Sequence, residues 1–215
     1  KINTPAYKIA SSETTNLPLM IEIAKIGKPV IISTGMCTMI DVEHAVDVCL
    51  NLGNPNIALL QCGTQYPLPE ELANLSVISE FKSRYGCSVG FSDHTLGINA
   101  ALVAVGIGAQ IFEKHLTLDK EANGPDHFYA AEPDELKNYI SAIHQAYQAM
   151  GDGVKCLLED EKKLGRREGL YATRDLSIGE AIVAEDIAIK RPSLGISGRY
   201  SNAIIGARLQ KNVAA

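Results

Sequence analysis

From Tyr7 to Met150, short β-branched runs alternate with longer segments of helical period, and this alternation constrains the fold more than any other property of the chain. A strand, a helix and a second strand return the chain to the same end of a sheet. Repeated units therefore build parallel strands covered by helices. Five strands are read: Tyr7–Ala10, Pro29–Ser33, Ile57–Gln61, Ser88–Ser92 and Gln110–Lys114. Asn16 fits an N-cap with Pro18 in the first turn, and Gly27 fits a helix stop before the second strand. The clearest helix carries Leu136, Tyr139, Ile140, Ile143, Ala146, Tyr147 and Met150 at spacings of three and four, with Pro133 near its start and Gly151 at its end. Five βα units cannot close an eight-stranded barrel, so about three are expected before the opening Lys1-Ile2-Asn3-Thr4-Pro5, which lacks an initiator methionine. A doubly wound open sheet is the alternative, but no G-x-G-x-x-G follows the first strand.

Beyond Gly151 the texture changes. Residues 152–168 are rich in Lys, Arg, Asp, Glu and Gly, the composition of a linker. Leu170–Ala172, Ala181–Val183 and Ile187–Ile189 then read as short strands split by Asp175, Ser177, Gly179 and Asp186. The expected division is a partial barrel over 1–151, a linker over 152–168 and a small β-rich module over 169–215. An apolar fraction of 46% with 21% charged residues is ordinary for a soluble globular chain. The net charge of -5 argues against a nucleic-acid partner, and no apolar run reaches membrane-spanning length. Cys37, Cys49, Cys62, Cys87 and Cys156 are odd in number, widely spread and without a C-x-x-C, which favours a reduced, cytoplasmic setting.

Two runs, Phe91-Ser92-Asp93-His94-Thr95 and Phe112-Glu113-Lys114-His115-Leu116-Thr117, put a histidine where an apolar strand stops and a polar loop begins. That is the end of a (β/α) barrel that carries chemistry. Strand side chains alternate faces, so Ser92 shares a side with His94, and Glu113 with His115. Both imidazoles are expected at one barrel mouth as ligands of a single divalent ion. Mn, Fe, Co, Ni or Zn would suit, with positions open for water and substrate oxygens, and such an ion can polarise a carbonyl. A lone histidine is more often structural; the pairing at adjacent strand ends, with Asp93 and Glu113 as carboxylates to orient the rings, favours the metal. In Lys8-Ile9-Ala10-Ser11-Ser12-Glu13, Lys8 can face an anion, Ser11 can hydrogen-bond it, and Glu13 can move a proton or grip a sugar hydroxyl. A solvated loop is the alternative there, weakened by a lysine inside an apolar strand. Ser33-Thr34-Gly35-Met36 closes the second strand, with Gly35 permitting close backbone approach, though capping also explains its hydroxyls. Tyr66 before Pro67 offers an aromatic hydroxyl or a turn, and Gly124-Pro125-Asp126-His127 either a lid or a tight turn.

Taken in order and spacing, Lys-Ile-Ala-Ser-x-Glu, Ser-Thr-Gly-Met, Ser-Asp-His-Thr-x-Gly, Glu-Lys-His-x-Thr-Leu-Asp and Gly-Pro-Asp-His resemble the N-acetylneuraminate (sialic acid) synthase family. Lys190-Arg191-Pro192 and Gly195-Ile196 extend the resemblance into the tail, where that family carries an antifreeze-like, or SAF, domain of β-clip type. The resemblance implies an α/β chain of (β/α)8 TIM-barrel type with strands four to eight present, followed by a SAF domain. It implies condensation of phosphoenolpyruvate with an N-acyl amino sugar, giving a nine-carbon keto acid and phosphate. His94 and His115 are the implied ligands of the divalent metal cofactor, Mn or Mg. Lys8, Ser11, Ser33, Tyr66 and Ser92 are the implied surroundings of phosphoenolpyruvate, with Lys8 and Glu13 as catalytic groups. Asp126 belongs to the substrate site, and Arg191 matches an arginine that reaches the sugar site of a neighbouring subunit in a domain-swapped homodimer. Ser12, Gln61 and Phe128-Tyr129-Ala130 depart from the family pattern, and all are expected near the sugar end. The first part of the family barrel, with its glutamate and lysine, has no counterpart here, and the tail stops short of the expected final strand. The isolated polypeptide is therefore expected to be inactive. A related synthase for legionaminic, pseudaminic or 9-phosphorylated products, or a non-catalytic sugar-binding scaffold, are the rival readings.

Overall fold

A computed structural model of the chain describes residues 3–163 and 167–215, apart from the side chains of 162 and 163. It forms two compact units that divide between Gly153 and Val154. The first is a parallel half barrel. Strands β1 (Tyr7–Ile9), β2 (Val30–Ser33), β3 (Ile57–Cys62), β4 (Ser88–Asp93) and β5 (Ile111–Lys114) pair in sequence order, leaving β1 and β5 as edges. Helices α1 (Leu17–Ala24), α2 (Met39–Asn51), α3 (Val77–Tyr85) and α4 (Asn99–Gly106) connect them, and α5 (Pro133–Met150) follows β5. Local chemistry sets these boundaries. The Asn16 side chain accepts from Leu19 N to start α1, while Thr38 and Asp41 cap α2 reciprocally. Gly27 ends the α1 turn at a φ of 75°, a backbone state that suits glycine.

The pleat assigns every strand residue to one of two faces. Ile9, Val30, Ile32, Ile57, Leu59, Val89 and Phe91 face the helices and form the core with Met20, Val42, Val46, Ile78 and Phe81. The alternate residues line the opposite face. On that face the strands crowd at Gly90, where a Cβ would sit 2.1 Å from Ile111 O. No other residue fits there without moving β5 away from β4.

Where β4, β5 and α5 meet, the helix-side face carries one sealed polar cluster. Asp93, 1% exposed, accepts at one oxygen from Thr95 N at 2.8 Å and Thr95 Oγ1 at 2.7 Å. Its other oxygen receives Tyr139 Oη at 2.8 Å and pairs with Lys114 Nζ at 3.2 Å. Lys114 also donates to Thr95 O, and its ammonium stands 5.2 Å from the Tyr139 ring centre. Burial and the adjacent Asp93 charge push the Tyr139 phenol far above its ordinary value, so it remains a hydrogen-bond donor.

In the second unit β6 (Gly169–Ala172) and β7 (Ile187–Lys190) pair antiparallel over a small apolar centre that includes Leu170, Leu176, Ile182, Leu209 and Val213. Ala181–Val183, expected as a strand, forms instead one bridge from Ala181 to Arg208, flanked by the bonds Ile182 N to Ala207 O and Gly206 N to Ile182 O. The segment is too short to extend a ladder between the turns on either side of it. Within 152–168, read as linker, lies a short helix α6 (Glu159–Lys163), while 164–166 fall outside the described residues. Among the described residues no helix is long and apolar enough to cross a membrane.

Lys114→Met removes the one cation that pairs, among the described residues, with the buried Asp93 carboxylate. It is expected to destabilise the first unit by about 3–5 kcal/mol in urea unfolding, more than Tyr139→Phe, which leaves the ion pair in place.

Candidate active site

The face opposite the helices opens at the C-terminal ends of the strands into a cleft of about 340 Å³. Its walls are the odd-out residues of the pleat: Lys8 from β1, Ser33 from β2, Cys62 from β3, Ser92 from β4 and Glu113 from β5, with His94 and His115 one step beyond β4 and β5. Ser11, Ser12, Met36, Thr64 and Tyr66 from the loops complete it. Strand alternation thus gathers one cation, one carboxylate, several hydroxyls and two imidazoles in a single concavity.

On the β1–β2 side the cleft presents groups whose chemistry suits an anion. Ser33 Oγ is buried and has no hydrogen-bond partner, a cost that a ligand oxygen would relieve. Ser11 Oγ accepts from Gly35 N at 2.9 Å, which leaves its proton free to donate. Glycine at position 35 is needed because a Cβ there would come within 2.6 Å of Thr64 Cγ2 and 2.9 Å of Ser11 Oγ. The close approach is made by these side chains. Lys8 Nζ lies 3.2 Å from Glu113 Oε2, and Ser92 Oγ donates to Glu113 Oε1 at 2.6 Å. Glu113 therefore holds both the ammonium and the Ser92 proton that an entering anion would need.

The imidazoles of His94 and His115 stand with ring centres 5.2 Å apart and planes at 63°. His94 Nδ1 is 2.6 Å from Gly63 O. A carbonyl can only accept, so that nitrogen carries the proton and Nε2 keeps its lone pair. His115 Nδ1 lies 3.4 Å from Tyr129 Oη and 3.9 Å from Asp126 Oδ2. Desolvation, then the neighbouring His94, lowers the His115 pKa below its ordinary value, with Asp126 and Glu113 opposing. Tyr66 covers both rings, 4.3 Å from His94 and 6.0 Å from His115 between centres, and desolvation raises its phenol pKa. Two imidazoles, each with a ring nitrogen to offer, beside carboxylate and hydroxyl oxygens, form a donor set that fits a divalent ion. Among the described residues no cluster of three or more His, Cys, Asp or Glu is grouped to hold one, so water or substrate oxygens would fill the remaining positions.

Of the residues singled out from sequence, Lys8, Ser11, Ser33, Tyr66, Ser92, His94 and His115 all line the cleft. Asp126 reaches it through His115 and Tyr129. Glu13 does not line it: its carboxylate sits on the turn before α1 and accepts from Asn16 Nδ2 at 2.8 Å. Arg191 belongs to the second unit, where it pairs with Glu168. Two expectations about the carboxylates beside the histidines are corrected. Asp93 cannot orient His94, because it faces the helices and is consumed by Thr95, Tyr139 and Lys114. Glu113, in the cleft, serves Lys8 and Ser92 and makes no bond to a histidine. Gln61 also faces away from the cleft, donating to Ala73 O at 2.9 Å. Sequence reasoning named Tyr129 only as a departure from the family pattern, without its contact to His115, and missed Cys62, whose Sγ is 3.8 Å from His94 Nδ1. The period-two rule places Cys62 in line with Ser33 and Ser92, so its position was available; that of Tyr129, in a long loop, was not.

The chain belongs to the NeuB family, whose model matches residues 1–155, and carries a SAF domain over residues 167–215. It is 41% identical over 210 residues to the N,N'-diacetyllegionaminic acid synthase of Campylobacter jejuni, covering 96% of this chain and 63% of that protein. The crystal structure of N-acetylneuraminic acid synthetase from Leptospira borgpetersenii, in complex with citrate, superposes with a TM-score of 0.70 and 35% identity over 75% of this chain and 56% of that one. The putative spore coat polysaccharide biosynthesis protein E of Chromobacterium violaceum reaches a TM-score of 0.80 at 28% identity, over 98% of this chain and 64% of that one. The chain thus spans less than two thirds of the length of these relatives.

Ser33→Ala is expected to leave stability unchanged or to raise it by about 1 kcal/mol in urea unfolding, since an unpaired buried hydroxyl is removed. The same change should weaken binding of a small anion such as inorganic phosphate, measured by calorimetry. A loss of stability would mean that Ser33 serves the fold.

Proposed function

We propose that the full-length protein condenses phosphoenolpyruvate with an N-acyl amino sugar of N-acetylmannosamine type, releasing phosphate and forming a nine-carbon sialic-acid-like keto acid. The observation that carries this reading is the meeting of Lys8, Ser11 and Ser33, groups that suit an anion, with two imidazoles across one cleft at the strand ends. Carbon three of phosphoenolpyruvate would bond to the sugar's aldehyde carbon, water would add at carbon two, and the bond from carbon two to the phosphate oxygen would break. A divalent ion, Mn or Mg, held by His94 and His115 would act as a Lewis acid on the aldehyde oxygen. Lys8 and the hydroxyls of Ser11 and Ser33 would hold the phosphate and carboxylate, with Ser92 joining once Glu113 turns from it. Glu113 is the carboxylate positioned in the cleft to hold a proton, whereas Glu13 would need to leave Asn16 to do so. Tyr66 closes over both rings and would exclude water from the reacting carbons.

A legionaminic-type product is a second reading, favoured by the 41% identity to the Campylobacter jejuni synthase. A domain-swapped homodimer, with Arg191 reaching a neighbour's sugar site, and a cytoplasmic setting belong to the same proposal. The latter is supported by the five free cysteines.

The test is phosphate release from phosphoenolpyruvate by the full-length gene product, supplied with Mn and a panel of N-acyl mannosamines and their legionaminic-type analogues. One sugar should drive release, and His94→Ala or His115→Ala should abolish both release and specific Mn binding. A folded, metal-loaded protein that releases no phosphate with any such sugar would overturn the synthase reading. Sugar binding indifferent to both histidine changes would point instead to a non-catalytic scaffold.

A further inference from the structure

We infer that Tyr129 and Asp126 form a one-way hydrogen-bond relay that fixes the tautomer of His115, making Tyr129 a positioning residue of the cleft. Tyr129 Oη is 2.7 Å from Asp126 Oδ1 and 3.4 Å from His115 Nδ1. Asp126 Oδ1 is the acceptor of that bond, so the phenol proton is committed to it. With its proton spent, the Tyr129 oxygen has only lone pairs to offer His115. The complementary arrangement puts hydrogen on Nδ1 and leaves Nε2 bare, the state that the Gly63 carbonyl imposes on His94. The two cleft imidazoles are thus set to the same tautomer by unrelated devices, one a backbone carbonyl and the other a side-chain pair.

The relay is held in place. Tyr129 is 5% exposed, and its ring packs 5.1 Å from the His115 ring, 5.3 Å from Tyr66 and 5.1 Å from Phe128 between centres. The loop from His115 to Ala131 is closed by Ala131 N donating to His115 O at 2.8 Å and Thr117 N to Ala131 O at 3.0 Å. A second clasp joins Thr117 Oγ1 to His127 Nδ1 at 2.7 Å. The acceptor, Asp126, is at the exposed end, so its replacement disturbs little packing.

The relay can be tested without metal or substrate, by nitrogen-15 NMR of the histidine rings in the metal-free, full-length protein at a pH where they are neutral. Ring-nitrogen shifts distinguish the tautomers, and His115 should appear as the Nδ1–H form. Asp126→Ala frees the phenol to donate toward His115 and should move the population toward the Nε2–H form, while Tyr129→Phe should leave a mixture. A purely structural role would lower the melting temperature and leave the tautomer as it was. Wild-type His115 in the Nε2–H form, or unchanged ring shifts in both folded variants, would overturn the relay. The inference rests on the metal reading only for a second readout: Mn affinity, measured by calorimetry, should fall at least about tenfold in Tyr129→Phe. If the tautomer responds as expected but the wild type binds no Mn, the relay stands and the metal reading fails.

Discussion

The carboxylate of Asp93 lies under α5, out of reach of water, and what surrounds it settles the geometry of the strand ends. Its two oxygens take up the backbone and hydroxyl of Thr95, the phenol of Tyr139 and the ammonium of Lys114. A buried charge so heavily engaged cannot lose a partner cheaply, so β4, the loop after it, β5 and α5 are bound to one point. His94 and His115 follow Asp93 and Lys114 immediately in the chain. Because the pleat turns each successive side chain to the opposite face, locking Asp93 and Lys114 against the helix aims both imidazoles across the sheet into the cleft. The polar pair on one face and the ring pair on the other are two sides of the same constraint.

That constraint explains what could be read from the residues alone. The five strands, the start of α1 at Asn16 and the extent of α5 follow from patterns within a few residues, and the structure has them where the patterns put them. The cleft wall was legible for a related reason: Lys8, Ser33, Ser92 and Glu113 occupy the alternate positions of their strands, so one rule places them together. The same rule, applied one residue further, turns Asp93 and Gln61 away from the cleft, since neither shares the parity of His94 or Cys62. Proximity in sequence to a histidine suggested a partnership that the pleat forbids. What no local pattern could supply was the return of the 115–131 loop, which brings Tyr129 against His115 through contacts between residues far apart in a glycine- and proline-containing stretch. In the second unit the two strands that pair, over Leu170–Ala172 and Ile187–Ile189, were legible, whereas its remaining pairing runs through single bridges that no local pattern marks.

The two imidazoles also show how identical residue types acquire their roles from different surroundings. His94 is 5% exposed and is oriented by a backbone carbonyl that side-chain substitution would not remove. His115 is more open and leans on an aromatic cluster and a loop carboxylate. The first is fixed by the sheet and the second by the loop, so variation among relatives in that loop would be felt at one ring and hardly at the other.

Glu113 gives the cleft one further property. By engaging both Lys8 and Ser92, it makes the anion wall nearly self-neutral when empty, so each visitor competes with an internal rival. A singly charged solute such as chloride would exchange one contact for another and gain little. A ligand bearing a phosphate and a carboxylate together brings more charge and more acceptor oxygens than the rival it displaces, and can use the Ser33 hydroxyl as well. Discrimination against the small anions that crowd a cell would then come from what the site already holds, ahead of any shape-matching to the right molecule.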